Sequence, residues 1–433
     1  MSYPATERAG LLWVWTDPDT RTLSTTVPLP VDPLLDRYID HFGNDSCYMR
    51  DLPYGMEILG ENLLDLSHLP YAHHSLGGLR RDLGKELPTK MLSQSQKVEN
   101  SAWEKEDNPE GQVVLPFFQA EITDASKHDP IFKSMVSRMG DAGDADSWTC
   151  TIAYYDPCHV RYRRCRGPGK TMLVELFLCP TSEGRSRVFL YNVAEVFLPS
   201  KEENKPTPLQ QIISAALKPS TWTTSVRMAL FKKLFDPRRA SGHMMSHKIF
   251  DGDGIFLHKQ GNRMKKAGLT FRDYSTPSSA DVLLNAYRRF LDTIASKTRE
   301  AGLDEIADAV VGSAEYGDDS PRSEMLDRYN THTVNCKICL TALKQTRAKK
   351  TRVKVLQTAL QGATGASLTA LATLVVVTRV VATVSMTPGL IRTVAGMAAA
   401  TCLGSIVAAR AETKLDKEIN QFLFEDYVHA EKN

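Results

Sequence analysis

Glu61-Asn62-Leu63-Leu64-Asp65-Leu66-Ser67-His68-Leu69-Pro70-Tyr71-Ala72-His73-His74 holds an Asp-x-x-His-x-x-x-x-His pattern, the spacing of a mononuclear non-haem iron site. On a regular helix Asp65 and His68 lie about 60° apart around the axis and share a face, whereas His68 and His73 lie about 140° apart. Two ligands five residues apart therefore require a distorted or interrupted helix between them. Pro70 supplies a reason for the break, since it lacks a backbone donor and biases Leu69 away from the α region. Two imidazoles and one distant carboxylate would make a facial triad that leaves open positions on Fe(II) for dioxygen. Paired histidines alone are more often ordinary surface or core residues, so the neighbouring residues carry the argument.

The block Glu-Asn-Leu-Leu-Asp-x-Ser-His-x-Pro-Tyr-Ala-His-His resembles the iron motif of Rieske-type oxygenases, in particular the plastid branch containing pheophorbide a oxygenase, chlorophyllide a oxygenase and their inner-envelope relatives. The resemblance implies that His68 and His73 are iron ligands. It also implies that Asp65 is the carboxylate linking a ligand histidine to the incoming electron path.

Working outward, 433 residues suffice for a sizeable core, and a net charge of +2 gives no case for a nucleic-acid partner. No Walker, dinucleotide-fingerprint or zinc-finger pattern appears. The eight cysteines (47, 150, 158, 165, 179, 336, 339, 402) are scattered apart from one pair, which favours a reducing compartment over a disulfide framework. Residues 1–10 carry neither a signal-peptide core nor an amphipathic transit segment. They lead into Gly10-Leu-Leu-Trp-Val-Trp15, read as a strand ending at a turn near Pro18. In the family a similar strand follows the Rieske domain. A Rieske [2Fe–2S] centre needs Cys-x-His and Cys-x-x-His, and no cysteine here has histidine two or three residues after it. The expectation is a catalytic part whose electrons arrive from a Rieske centre outside this chain.

Strands are expected over residues 113–122, 148–155, 160–164, 171–178 and 187–198 from their β-branched and aromatic content, with Gly167-Pro-Gly169 and Pro180–Gly184 as turns. Residues 207–250 read as helical, with 222–234 basic and amphipathic. The fold class expected is α+β: an antiparallel sheet in a helix-grip-like domain around the iron, as the resemblance implies, plus a C-terminal membrane hairpin. The resemblance also implies a carboxylate in a late helix as third ligand, and in Lys248-Ile-Phe-Asp-Gly-Asp-Gly-Ile-Phe-Leu-His-Lys-Gln260 this is Asp253, with Asp251 as the alternative. The plain reading of both acids is helix capping.

Asp327-Arg-Tyr-Asn-Thr-His-Thr-Val-Asn-Cys336-Lys-Ile-Cys339 contains the close cysteine pair. A lone Cys-x-x-Cys is compatible with half a zinc site (with His332), a redox dithiol or chance. Its context resembles the thiol switch of the pheophorbide a oxygenase branch, addressed by thioredoxin, and Lys337 is expected to lower a thiol pKa. Residues 355–378 and 393–409 carry no charge, runs of 24 and 17. They suit two spans, and Ser385–Gly389 suits the turn between them. The expected organisation is 1–300 iron domain, 301–354 linker, 355–410 hairpin and 411–433 tail.

Taken together, the resemblance implies an oxygenase acting on a chlorophyll-derived tetrapyrrole. Its cofactor would be mononuclear Fe(II), its electrons would come from ferredoxin through the [2Fe–2S] centre, and its assembly would be a homo- or hetero-trimer. It implies a plastid membrane, inner envelope or thylakoid, with the iron domain on the stromal side. Methyl-group oxidation of chlorophyllide or protochlorophyllide, and a non-catalytic redox-sensing membrane subunit, are the alternatives.

Overall fold

The computed structural model describes residues 2–17, 19–97, 114–131, 148–166, 170–182, 184–199, 239–273, 275–310, 320–380 and 388–426. It divides into two compact units, Met1–His332 with Asp426–Asn433, and Thr333–Glu425.

In the first unit, strands β1 (Ala5–Arg8) and β2 (Leu11–Val14) form a hairpin where the sequence suggests one strand. Its two-residue turn is Ala9-Gly10, with φ of 56° and 66°. Positive φ at both positions matches the twist of the flanking strands, and Gly10 adopts it without a Cβ penalty. Helix α1 (Pro33–Phe42) starts at Asp32, whose carboxylate accepts from the Leu34 N–H at 2.8 Å.

A seven-stranded sheet follows, in the order β3 (Tyr48–Leu52), β9 (Arg185–Ala194), β8 (Thr171–Ser182), β7 (His159–Cys165), β6 (Thr149–Tyr155), β5 (Phe118–Ile122), β4 (Thr89–Met91). Every neighbouring pair is antiparallel. The strands expected from β-branched content are present within a few residues. β3 and β4 are short and were not legible, and the 222–234 helix and the Gly167–Gly169 turn lie outside the described residues.

The period of two sorts residues to the faces. Val160, Tyr162, Leu176 and Leu190 join one core with helices α2 (Met56–Leu64), α4 (Ala240–Lys266) and α5 (Val282–Glu300). Leu173, Phe177, Tyr191 and Val193 form a second core with Leu34, Leu35 and Tyr38 of α1. On that second face lies a largely buried ion cluster. Arg161 Nε donates to Glu175 at 2.8 Å, His159 pairs with the other Glu175 oxygen, and Arg163 reaches Asp32 at 2.9 Å. Close packing of α2 on α5 depends on Gly60, where a Cβ would stand 2.3 Å from the Tyr287 hydroxyl oxygen.

The second unit contains two long helices, α6 (Lys337–Val380) and α7 (Pro388–Leu423). Both are long and apolar enough to cross a membrane. They pair through small groups: Thr364 donates to Thr401 at 2.8 Å, and a Cβ on Gly404 would lie 3.2 Å from Leu360 Cδ1. Beyond the apolar run, Lys350 meets Asp416 at 2.5 Å. The stretch expected to be a linker, 301–354, is largely helical, and the first turns of α6 fall within it.

Candidate metal centre

The iron motif folds as two helices with a break. α2 ends at Leu64, and Asp65 leaves helical geometry with φ −99° and ψ 98°. A four-residue helix α3 (Leu69–Ala72) follows, flanked by His68 and His73. The interruption expected between His68 and His73 is absent: the turn joining them is helical, with Ala72 N–H donating to the His68 carbonyl and His73 N–H to the Leu69 carbonyl. Pro70 sits in the first turn of α3, where its missing N–H costs nothing, and the break falls at 65–67. There the Asp65 carboxylate accepts from the Ser67 N–H at 2.8 Å and from the Ser67 hydroxyl.

α4 is continuous from residue 240 to 266, so Asp251 and Asp253 stand in its interior and cap nothing, contrary to the plain reading. Asp253 comes to the two histidines: its Oδ1 lies 3.2 Å from His73 Nε2 and 3.8 Å from His68 Nε2. The three ligand atoms all lie within 4.8 Å of one another. The other Asp253 oxygen accepts from Asn62 Nδ2 at 3.0 Å, which fixes the rotation of the carboxylate. His73 is fully buried, and none of the four ring nitrogens of His68 and His73 makes a hydrogen bond, although all four are buried. Buried imidazole nitrogens ordinarily find partners, so this arrangement of donors fits a bound divalent ion. The N2O donor set suits a ferrous site with open positions.

Asp65 approaches His68 from its other side, with Oδ2 3.7 Å from Nδ1. Electrostatics tie the group together. Burial works to raise the Asp253 pKa, and the facing His68 and His73 imidazoles with the Asn62 amide outweigh it, holding the carboxyl below its usual range. Burial likewise opposes charge on His68, while Asp253 and Asp65 raise its pKa overall.

Asp251 has a different task. Its carboxylate lies 2.6 Å from Arg50 Nη2 and accepts from Arg328 Nε and Nη2 at 2.8 and 2.6 Å, all three side chains being buried. Beside them Tyr48 hydrogen-bonds His247 Nδ1 at 2.9 Å and stacks on His332 with centroids 4.6 Å apart. This ion cluster was not read from the sequence, because Arg50, Asp251 and Arg328 are separated by some 200 and 77 residues and follow no local pattern. Asn62 lies within the motif and was missed as the Asp253 partner, for which its amide was the available signal.

The candidate centre opens on a cavity of about 250 Å³, walled by Met172, Val174, Leu176 and Leu190 of the sheet and by Phe250 of α4. In the second unit, Cys336 immediately precedes α6, and its Sγ accepts from the Cys339 N–H at 3.4 Å. The hydrogen bond with Cys336, and then burial, push the Cys339 thiol up. The lowering that Lys337 was expected to give one thiol of the pair does not fall on Cys339. All eight cysteines are free thiols.

Residues 154–270 match the family model described as pheophorbide a oxygenase. The chain is 24% identical over 348 residues to flavonoid 8-hydroxylase 2, chloroplastic, of Ocimum basilicum, covering 80% of this chain and 54% of that protein. It is 24% identical over 377 residues to protochlorophyllide-dependent translocon component 52, chloroplastic, of Arabidopsis thaliana, covering 80% and 56%. Against pheophorbide a oxygenase, chloroplastic, of Oryza sativa subsp. japonica, identity is 24% over 455 residues, covering 100% of this chain and 66% of that one. The chain thus spans between about half and two thirds of the length of these relatives.

Proposed function

We propose that this chain, whose residues 154–270 match the family model described as pheophorbide a oxygenase, is the catalytic part of a Rieske-type, non-haem iron oxygenase acting on a chlorophyll-derived tetrapyrrole. The observation that supports this reading most is the meeting of His68, His73 and Asp253 at the wall of an apolar cavity. Ferrous iron, when bound, supplies dioxygen binding and reduction. The protein's part is to present two neutral imidazoles and a carboxylate, to fix Asp253 through Asn62, and to keep bulk water away with Met172, Val174, Leu176 and Phe250. A Rieske [2Fe–2S] centre fed by ferredoxin would supply the electrons, and Asp65, 3.7 Å from His68 Nδ1, would stand between that donor and His68. α6 and α7 anchor the protein in a plastid membrane with the iron unit on the stromal side. Cys336 and Cys339 are the dithiol that thioredoxin reduces, and the working assembly is a trimer.

The test is to load the purified chain anaerobically with Fe(II), then measure retained metal and dioxygen uptake with pheophorbide a, reduced ferredoxin and a Rieske donor. Iron stoichiometric with the chain and substrate-dependent uptake are expected. Failure to retain iron while zinc is retained would sink the oxygenase reading. For Asp65→Asn the expected result is retained iron with turnover down about 10–100-fold, the range for residues that orient a ligand. Full activity would remove Asp65 from the electron path.

A flavonoid hydroxylase is the second reading. The relative from basil carries that name, and a cavity of about 250 Å³ among the described residues is small for a macrocycle, ligand pockets commonly running about 300–1,000 Å³. The same uptake assay with a flavone in place of pheophorbide a separates the two.

A further inference from the structure

At one end of the helix pair in the second unit, charge is sorted by sign. Lys344, Arg347, Lys349, Lys350, Arg352 and Lys354 precede the uncharged run of α6, and no acid stands among them. On α7, Arg410, Lys414 and Lys417 are balanced by Glu412, Asp416 and Glu418, so the six positive charges of α6 remain in excess.

Contacts between the helices fix their relative height. Thr364 meets Thr401, Gly404 faces Leu360, and Lys350 meets Asp416. This antiparallel register sets Val355, where the uncharged run of α6 begins, level with Arg410, which follows the uncharged run of α7. Exposure then separates the signs. Among the described residues Lys350 is the cation of the α6 run that meets carboxylates, Asp416 at 2.5 Å and Glu412 at 4.0 Å. The other five are exposed, as are the three cations of α7, whereas the three acids are half-buried. On the helix wheel Lys349 and Arg352 lie about 60° apart, and Arg347 and Lys354 about 20° apart, on either side of Lys350. Like charges this close along a helix repel one another, so the outward face of this end calls for anions from elsewhere.

The height of the charges matches a headgroup layer. The polar region of a bilayer adds about 5–8 Å on each side of the hydrocarbon core. Lys354, Arg352 and Lys349 stand about 1.5, 4.5 and 9 Å outside Val355 along the axis. Arg410 and Lys414 occupy the same layer on α7.

We propose that this end of the hairpin is a collar for the headgroups of anionic lipids, held by Lys349, Arg352, Lys354, Arg410 and Lys414 at the membrane surface. The charged band is continuous with helices long and apolar enough to cross a membrane. That continuity favours a lipid, whose acyl chains pack on the apolar run, over a soluble anion. The inference goes beyond the oxygenase reading and rests on the membrane anchoring stated with it.

The experiment uses the full chain reconstituted in phosphatidylcholine vesicles with a trace of spin-labelled phosphatidylglycerol or spin-labelled phosphatidylcholine. Electron spin resonance reads the fraction of each label immobilised at the protein surface. Phosphatidylglycerol is expected to associate about fivefold more strongly than phosphatidylcholine, the effect of roughly one surface cation per lipid. The preference should shrink at about 0.5 M salt, where screening shortens to a few ångströms. In the triple variant Lys349→Gln, Arg352→Gln, Lys354→Gln it should fall to within about twofold, with unchanged melting temperature and iron content. The double variant Lys349→Arg, Lys354→Arg keeps the charge and should keep the preference. Equal association of the two lipids with the unsubstituted chain, or an undiminished preference in the triple variant, would overturn the collar and leave the anchoring standing. No immobilised fraction with either label would overturn the anchoring and the collar together.

Discussion

His73→Ala, His68→Ala and Asp253→Ala should each abolish stoichiometric iron retention and lower turnover by more than about 100-fold. That is beyond the loss usual for residues that merely orient a ligand. Three donors are the whole protein contribution to a facial triad, so each loss opens a further position to water and weakens the hold on the metal. His73 should show the largest effect, being fully buried with both ring nitrogens lacking hydrogen bonds, whereas the His68 side chain keeps 21% of its exposure. Removing the imidazole also leaves the Asp253 carboxylate facing an unfilled interior, so melting temperature must be measured beside metal content. The informative comparison is Asp253→Asn, which keeps the volume and the Asn62 contact while losing the charge. If Asp253→Asn or His73→Ala retains iron at the unsubstituted level, these residues do not hold it.

Asp251→Ala should cost stability rather than metal chemistry, by about 3–5 kcal/mol, the penalty for stranding a buried ionic partner. Here two buried guanidiniums, Arg50 and Arg328, lose the same carboxylate at once. Set against a typical total of about 5–15 kcal/mol, that is a large fraction, and a fall in melting temperature on the order of 10 °C follows. The fraction that stays folded should still bind iron, which separates Asp251 from Asp253. Replacing all three residues with apolar side chains of similar volume should recover much of the loss, since a buried ion cluster is rarely more stabilising than good packing. A change in stability below about 1 kcal/mol for Asp251→Ala would show that the cluster is not held as the distances indicate.

How far the sequence reached depends on how local each feature is. The motif's interruption was expected between His68 and His73 from helix geometry, but the structure places it before His68, at 65–67, and keeps the turn from His68 to His73 helical. The strands from Thr149 to Ala194 are long, β-branched runs set off by turns, and their register sorts Tyr162, Val174 and Leu190 to the cavity side and Leu173 and Tyr191 to the other. β3 and β4 escaped because short strands carry little periodic signal. The buried ion cluster around Asp251 escaped because its members come from three distant segments. The Cys339 thiol is pushed up by its hydrogen bond with Cys336 and by burial, neither of which a local sequence pattern displays.

The sequence by itself determined that an aspartate and two histidines stand on an interrupted helix, that an antiparallel sheet follows, and that two long apolar helices come last. It favoured Asp253 over Asp251 only through the resemblance, with no geometry behind the choice. Two residues on a helix point about 200° apart, so one of them faces the histidines and the other faces away. The packing of α4 between the sheet and α2 decides which: it turns Asp253 toward His68, His73 and Asn62, and turns Asp251 into the grip of Arg50 and Arg328.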